Sequence, residues 1–233
     1  MSQSSSPLTT LSPPASYITT LDQAGGVIAL LASIGLAASV GWLLQRKPGW
    51  LVLSAASQSA LAGVFWLFRN PSRSNPAGAG LVVSPCDGEV QKIDLVHEPR
   101  FVKALTYRLT IRIRPGDVQM MRSPADGRVR YRRYQPGGQQ NERTDTLWIG
   151  IHHSTGVKVL VKQRASSFWR VMPVSVGRRI TALLDLEDAA QQGQVMGHLP
   201  LGGEVQIFVP NTAHMAVTPG TRVRAGETIL ARP

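Results

Sequence analysis

Two long stretches without a charged side chain constrain this chain more than anything else in it. Gly25 to Leu44 (GGVIALLASIGLAASVGWLL) and Trp50 to Phe68 (WLVLSAASQSALAGVFWLF) carry no Asp, Glu, Lys or Arg. At about 1.5 Å per helical residue, each is close to the roughly 30 Å thickness of a bilayer's hydrocarbon core. The break between them, Gln45-Arg46-Lys47-Pro48-Gly49, is polar and ends in a turn dipeptide. Trp42, Trp50 and Trp66 lie near the run ends, where interfacial aromatics belong. Gly, Ala and Ser along both runs let two helices approach closely. A chain of 233 residues is too small to cover two such helices with protein, so the pattern predicts a membrane hairpin over 24–68. Ser57, Gln58 and Ser59, in the middle of the second run, suit a shallow re-entrant hairpin as well as a full span. Arg46 and Lys47 favour a cytoplasmic loop, whereas Arg69, Arg73 and the basic residues beyond favour a cytoplasmic C-terminal part. The orientation adopted is a membrane protein with its soluble domain in the cytoplasm. Residues 1–23, rich in Ser, Thr and Pro, read as a flexible tail without the basic start of a secretory signal.

After a linker over 69–79 the pattern changes, and residues 80–233 read as one domain. Short β-rich runs stand between turn signals: Leu81–Val83, Tyr107–Ile113, Arg128–Tyr134, Leu147–Ile151, Val157–Val161 and Glu204–Val209. Ile180 to Gln191 is the best helical candidate. An internal echo stands out. Pro85-Cys86-Asp87-Gly88-Glu89-Val90 and Pro124-Ala125-Asp126-Gly127-Arg128-Val129 share Pro-x-Asp-Gly-x-Val, and Asp-Gly is a turn pair. Near the C-terminus, Gly220 and Gly226 flank a short strand around Val223. These features look like the hairpin grammar of lipoyl- and biotinyl-type proteins. The fold expected is therefore mainly β, a lipoyl/biotinyl-like β-barrel-sandwich behind a two-helix hairpin. No lysine stands at either Asp-Gly turn, which argues against a carrier domain.

Charge narrows the partners. Removing Asp22, Arg46 and Lys47 from totals of 14 acidic and 25 basic residues leaves 13 and 23 after position 68, a net of +10. Beside a bilayer such a domain is drawn to anionic headgroups, at about 1 kcal/mol per basic residue near the surface. Neither an aromatic-rich basic motif nor a zinc spacing is present, so nucleic acid is not an expected partner. Cys86 is the single cysteine, which rules out an intramolecular disulfide and a cysteine-rich metal site. His152 and His153 are adjacent, and neighbours on a strand point to opposite faces, so no metal is expected there.

Six segments in order carry a family likeness: FWLFRNPSR at 65–73, VVSPCDGEV at 82–90, GDVQMMRSPADGRV at 116–129, NERTDT at 141–146, VGRRI at 176–180 and GHLPLGGEVQIFVP at 197–210. Together they resemble the short, membrane-attached form of the phosphatidylserine decarboxylase family over about residues 60–231. The resemblance implies the same barrel, a phospholipid setting and a carboxy-lyase activity that relies on a pyruvoyl group. Members make that group from a serine: its hydroxyl attacks the preceding glycine carbonyl, the amide becomes an ester, and β-elimination releases the new terminus. An Asp, a His and the Ser act together in this self-cleavage.

Carried over by motif, the family's Asp is retained as Asp87. Its His corresponds to Gln119, which is no base at neutral pH, and its Gly-Ser pair reads Gly202-Gly203. Glycine has no β-carbon to become the pyruvoyl methyl, so the cofactor expected in the family is not formable at Gly203. His198, five residues earlier, reads as a surface or turn histidine. Arg122, Asn141, Arg143, Arg178 and Arg179 match the family's loop and basic residues, and the arginine forks suit phosphodiester oxygens. QRASSFWRVMP at 163–173 reads as an insertion whose Phe168, Trp169 and Arg170 suit either the membrane interface or a buried cluster. Three functions fit. The first is a pseudoenzyme that binds phosphatidylserine-like membrane phospholipid, or partners an active paralogue or a second copy of itself as a homo-oligomer. The second is an active decarboxylase with an atypical cleavage site that makes phosphatidylethanolamine. The third is a membrane-tethered β-barrel adaptor. If the surrounding geometry survives, Gly203→Ser with Gln119→His is expected to restore partial self-cleavage.

Overall fold

The structure, a computed structural model, describes residues 16–78, 80–137, 144–166 and 180–232. Two helices lead, α1 (Ser16–Gln45) and α2 (Pro48–Leu67). α1 starts ahead of the boundary expected at 24. It stops where Arg46 takes a left-handed φ of 55°, and α2 restarts at once with Pro48 in its first turn, where the missing N–H costs nothing. The two pack along a small-residue seam, where Gly35 faces the Ser57 side chain and Gly41 faces the Trp50 ring. Ser39 and Ser54 hydroxyls meet at 2.8 Å, Ser57 Oγ donates to the Leu31 carbonyl at 2.5 Å, and Gln58 Nε2 donates to Ser54 Oγ at 3.1 Å. Ser54 and Ser57 of the second run are thus buried and bonded inside the pair, whereas Gln58 and Ser59 are exposed. The outer surface is apolar and uncovered, with Leu36 69%, Leu44 79% and Val52 69% exposed. Ile28–Gln45 has a mean hydropathy of 1.8 and is the one stretch among the described residues long and apolar enough to cross a bilayer.

Fourteen strands follow among the described residues: β1 (Val82–Val83), β2 (Gly88–Glu98), β3 (Ala104–Ile113), β4 (Met120–Arg122), β5 (Gly127–Gln135), β6 (Thr146–His152), β7 (Lys158–Ala165), β8 (Thr181–Ala182), β9 (Ala189–Ala190), β10 (Val195–His198), β11 (Gly203–Pro210), β12 (His214–Met215), β13 (Arg222–Val223) and β14 (Ile229–Arg232). The six runs read as strands are all strands. Ile180–Gln191 is not a helix: β8, a turn with Glu187 at φ 71°, and β9 occupy it. The predicted tail before Ser16 and the aromatic insertion at 168–170 lie outside the described residues.

All pairings are antiparallel, and the main sheet runs β13-β2-β3-β11-β7-β6-β5-β9. This order reads as two equivalent halves about the β11–β7 pair, and the small sheets repeat the relation: β1-β14-β12 matches β4-β10-β8. The hydrogen bonds agree. Val83 N donates to Pro124 O and Arg122 N to Pro85 O; Gly226 N donates to Ser84 O and Gly193 N to Ser123 O. Ser84 Oγ closes on Cys86 O and Ser123 Oγ on Ala125 O. Both Asp-Gly turns need their glycine. At Gly88 (φ 156°) a Cβ would collide with the Arg112 carbonyl oxygen, and at Gly127 (φ 150°) with that of His152.

Alternation fills the interior. Leu109, Ile111 and Ile113 of β3 point in, while Arg112 is exposed. They meet Ile149, Ile151, Val161, Val205 and Ile207 in one core. Each such buried side chain contributes about 1.5–3 kcal/mol. A smaller cluster of Trp148, Leu160 and Phe208 sits apart from this core, with Arg100 and Lys162 stacked on Trp148.

Candidate functional site

The residues singled out by motif fall into two groups. The first surrounds the turn into β11. Gln119, 1% exposed, accepts the Gly202 N–H on its side-chain oxygen at 2.6 Å. Its Nε2 lies 2.6 Å from Asp117 O, 3.1 Å from Arg114 O and 3.2 Å from Pro115 O, so two of the three take its hydrogens at a time. This network fixes the amide's orientation, because the Gly202 N–H can only donate. The Gln119 carbonyl in turn accepts Leu199 N–H. Gln119 is therefore a clamp that ties the 114–117 loop to the 199–202 segment. Asp117 completes the loop, accepting Arg114 N–H at 2.8 Å and Arg222 Nη2 at 2.6 Å.

Gly203 opens β11, in register with Ile113 and Ala165. Its φ is 152°, and a Cβ there would collide with the Arg164 carbonyl oxygen and press on Leu199. The backbone is thus shaped around the absence of a side chain. Ser166 N–H donates to Gly202 O at 3.3 Å, so the carbonyl that precedes Gly203 is already engaged.

The second group ties segment 69–76 to the domain. Asp87 accepts Arg73 Nη2 at 2.8 Å and Ala225 N–H at 2.8 Å. Arg73 is well covered, its side chain 8% exposed, and also reaches Glu227 at 3.4 Å. Arg122 donates to Gly193 O, Asn70 Oδ1 and Pro71 O at 2.8–3.0 Å. Asn75 Nδ2 donates to Gln192 O, and its amide wedges against Gly193 and Gly226. No hydrogen bond among the described residues joins Asp87 to Gln119 or Gly202. Segment 69–76 is thus a strap between helices and domain, and Asp87 and Arg122 both hold it. Asn141, Arg143, Arg178 and Arg179 lie outside the described residues.

Three features escaped the motif reading. Arg73 lies in a quoted motif, but its partner is distant in sequence. Cys86 is fully buried, and burial, reinforced by the Asp87 and Asp117 charges, pushes its thiol pKa up, so it is no nucleophile. His198 is not at the surface. It lies on β10, 1% exposed, with both ring nitrogens unpartnered among the described residues, and burial lowers its pKa to about 4. Phe68, which caps the end of α2, stacks on it at 5.0 Å. Next to Phe68, Arg69 lies 4.1 Å from the Trp66 ring and donates to Trp66 O and Gly116 O. The helix end, the 114–117 loop and the Gln119–Gly202 clamp are thus neighbours.

Comparison with known proteins converges on one family. The model described as phosphatidylserine decarboxylase matches residues 61–231. A phosphatidylserine decarboxylase proenzyme of Symbiobacterium thermophilum is 35% identical over 214 residues, 88% of this chain and 90% of that protein. Proteins with the same description from Chlorobium luteolum and Salinibacter ruber are each 33% identical, over 78% and 74% of this chain and 84% and 76% of their own. No solved structure matches the chain significantly.

Proposed function

The chain belongs to the phosphatidylserine decarboxylase family, and on that premise we propose a membrane-anchored protein of phospholipid metabolism that binds a phosphatidylserine-like headgroup without making a pyruvoyl group. Gly203 carries this reading. A glycine supplies neither the hydroxyl nor the β-carbon of the family's self-cleavage, and the backbone there has no room for either. Gln119, at the position of the family's base, serves as the clamp on Gly202. Asp87, at the position of the third member, is spent on Arg73 and Ala225. The residues present do not fit the cofactor.

The uncovered apolar helices, with Ser39, Ser54 and Ser57 bonded between them, support a membrane hairpin, and the basic domain supports a cytoplasmic face against anionic lipid. The duplicated Asp-Gly halves support a lipoyl/biotinyl-like barrel-sandwich. Asn141, Arg143, Arg178 and Arg179 are the proposed headgroup ligands, and Arg122 holds the strap. The proposed protein partner is a second copy of the chain or an active relative.

Intact mass of the purified protein tests this. A single species of 25.2 kDa is expected. Two pieces with a borohydride-reducible carbonyl at the new terminus would overturn it. Gly203→Ser with Gln119→His is now expected to stay uncut as well, because the serine Cβ meets the Arg164 carbonyl.

A further inference from the structure

We infer that His198 marks a subsite for the phosphate of a phospholipid headgroup, covered by Phe68 and entered from the bilayer side of the junction between helices and domain. The inference rests on the phospholipid-binding reading above and names the residue that would contact the lipid.

A fully buried imidazole with no hydrogen bond on either nitrogen destabilises the fold, and native structures retain such groups for a reason. The position of His198 supplies one. Its register partners are Met120 and Thr181, whereas the neighbouring Gly197 aligns with Met121 and Ala182, which pack into or against the main core. His198 therefore faces away from that core, under Phe68 at the end of α2. Moving Phe68 would uncover the ring where the apolar helices meet the domain. Arg69, the next residue, is held to the 114–117 loop through one hydrogen bond to Gly116 O and brings a guanidinium to the entrance. On the inner side, Leu199 bonds the Gln119 carbonyl, so the subsite adjoins the Gln119–Gly202 clamp. A neutral imidazole offers one N–H to a phosphate oxygen, and the arginine adds a charge-assisted bond. The equivalent place in the other half holds Arg232, exposed and paired in register with His214. The buried histidine occurs only in the half on which the helices dock.

The full chain in maltoside micelles and phosphate-free buffer provides the test. Thermal midpoints would be measured with dihexanoyl phosphatidylserine, dihexanoyl phosphatidylcholine, dihexanoylglycerol and inorganic phosphate. Both phospholipids are expected to raise the midpoint and dihexanoylglycerol is not. His198→Leu, which replaces an unpartnered polar group by an apolar one, is expected to keep or raise the lipid-free midpoint while weakening phosphatidylserine at least tenfold. His198→Gln, which keeps a donor and an acceptor, should lose less. Equal affinity in wild type and His198→Leu overturns the subsite alone. A wild type that gains nothing from either phospholipid overturns the phospholipid reading and the subsite together. A full effect from inorganic phosphate overturns the lipid as the source of the bound group.

Discussion

The His153–Gly156 turn and the Gln119–Gly202 clamp occupy equivalent ends of the two-fold scaffold, but the chain closes only the first by itself. There β6 runs straight into β7, with His153 N–H on Val157 O at 2.8 Å and Gly156 N–H on His153 O at 3.0 Å. At the other end β3 and β11 lie side by side without being connected. One segment leaves toward β4 and another arrives from β10; the backbone bond from Leu199 N–H to the Gln119 carbonyl joins them, and the Gln119 side chain adds the bond to Gly202. A turn closed by backbone has no position to vary. An end whose last bond comes from a side chain can be loosened by changing that residue.

The comparison can be broken at its glycines first. Gly88→Ala and Gly127→Ala should each cost about 3–5 kcal/mol in urea unfolding, through positive φ and a carbonyl collision. Unequal costs would end the equivalence of the halves. The aspartates sharpen it next. Asp87→Asn leaves the covered Arg73 with Glu227 alone as a charged partner and should cost about 3 kcal/mol, whereas exposed Asp126, bonded to Gln192 N–H, should cost under about 1 kcal/mol when made Asn. Equal losses would show that the strap adds nothing to the first half.

The third test is pH. His198 titrates near 4 when folded and near 6.5 when unfolded. Below pH 6.5 the unfolded chain binds a proton that the native ring refuses, so stability falls with falling pH until about 4 and is then level. Relative to His198→Leu, the wild type should lose about 2 kcal/mol between pH 7 and pH 5. A pH-independent difference would mean that the ring is hydrated. The smallest effect belongs to the surface. Glu187→Gln removes an ion pair with Arg130 that is half exposed on both sides, and should cost about 0.5 kcal/mol or less.

Alternation and the paired Asp-Gly motifs made the strands legible in the sequence, because each is a local consequence of side-chain period and turn chemistry. Ile180–Gln191 misled for the opposite reason. Ile180, Leu183 and Leu184 have helical spacing, but β8 and β9 are two-residue strands defined only by partners on β10 and β5, and Leu186 is 54% exposed. At the site, Gln119 and Gly202, both singled out by motif, are joined by a hydrogen bond. It did not reveal what Asp87 and Arg122 bind, since Arg122 reaches Asn70 and Gly193 across stretches of chain that carry no local signal. The burial of His198 was equally hidden, because it depends on where α2 ends.

The two halves are also nested. The inner one joins β4, β5 and β6 to β8, β9 and β10, while the outer one joins β1, β2 and β3 to β12, β13 and β14. During synthesis on the ribosome β2 can pair at once with β3 and the inner half can assemble early, but β1, whose ladder partner is β14, and the edge of β2 that takes β13 must wait for the last strands to emerge. Contacts this distant in sequence fold slowly, so the outer half is where a chaperone or a nearby membrane surface would have the longest time to act.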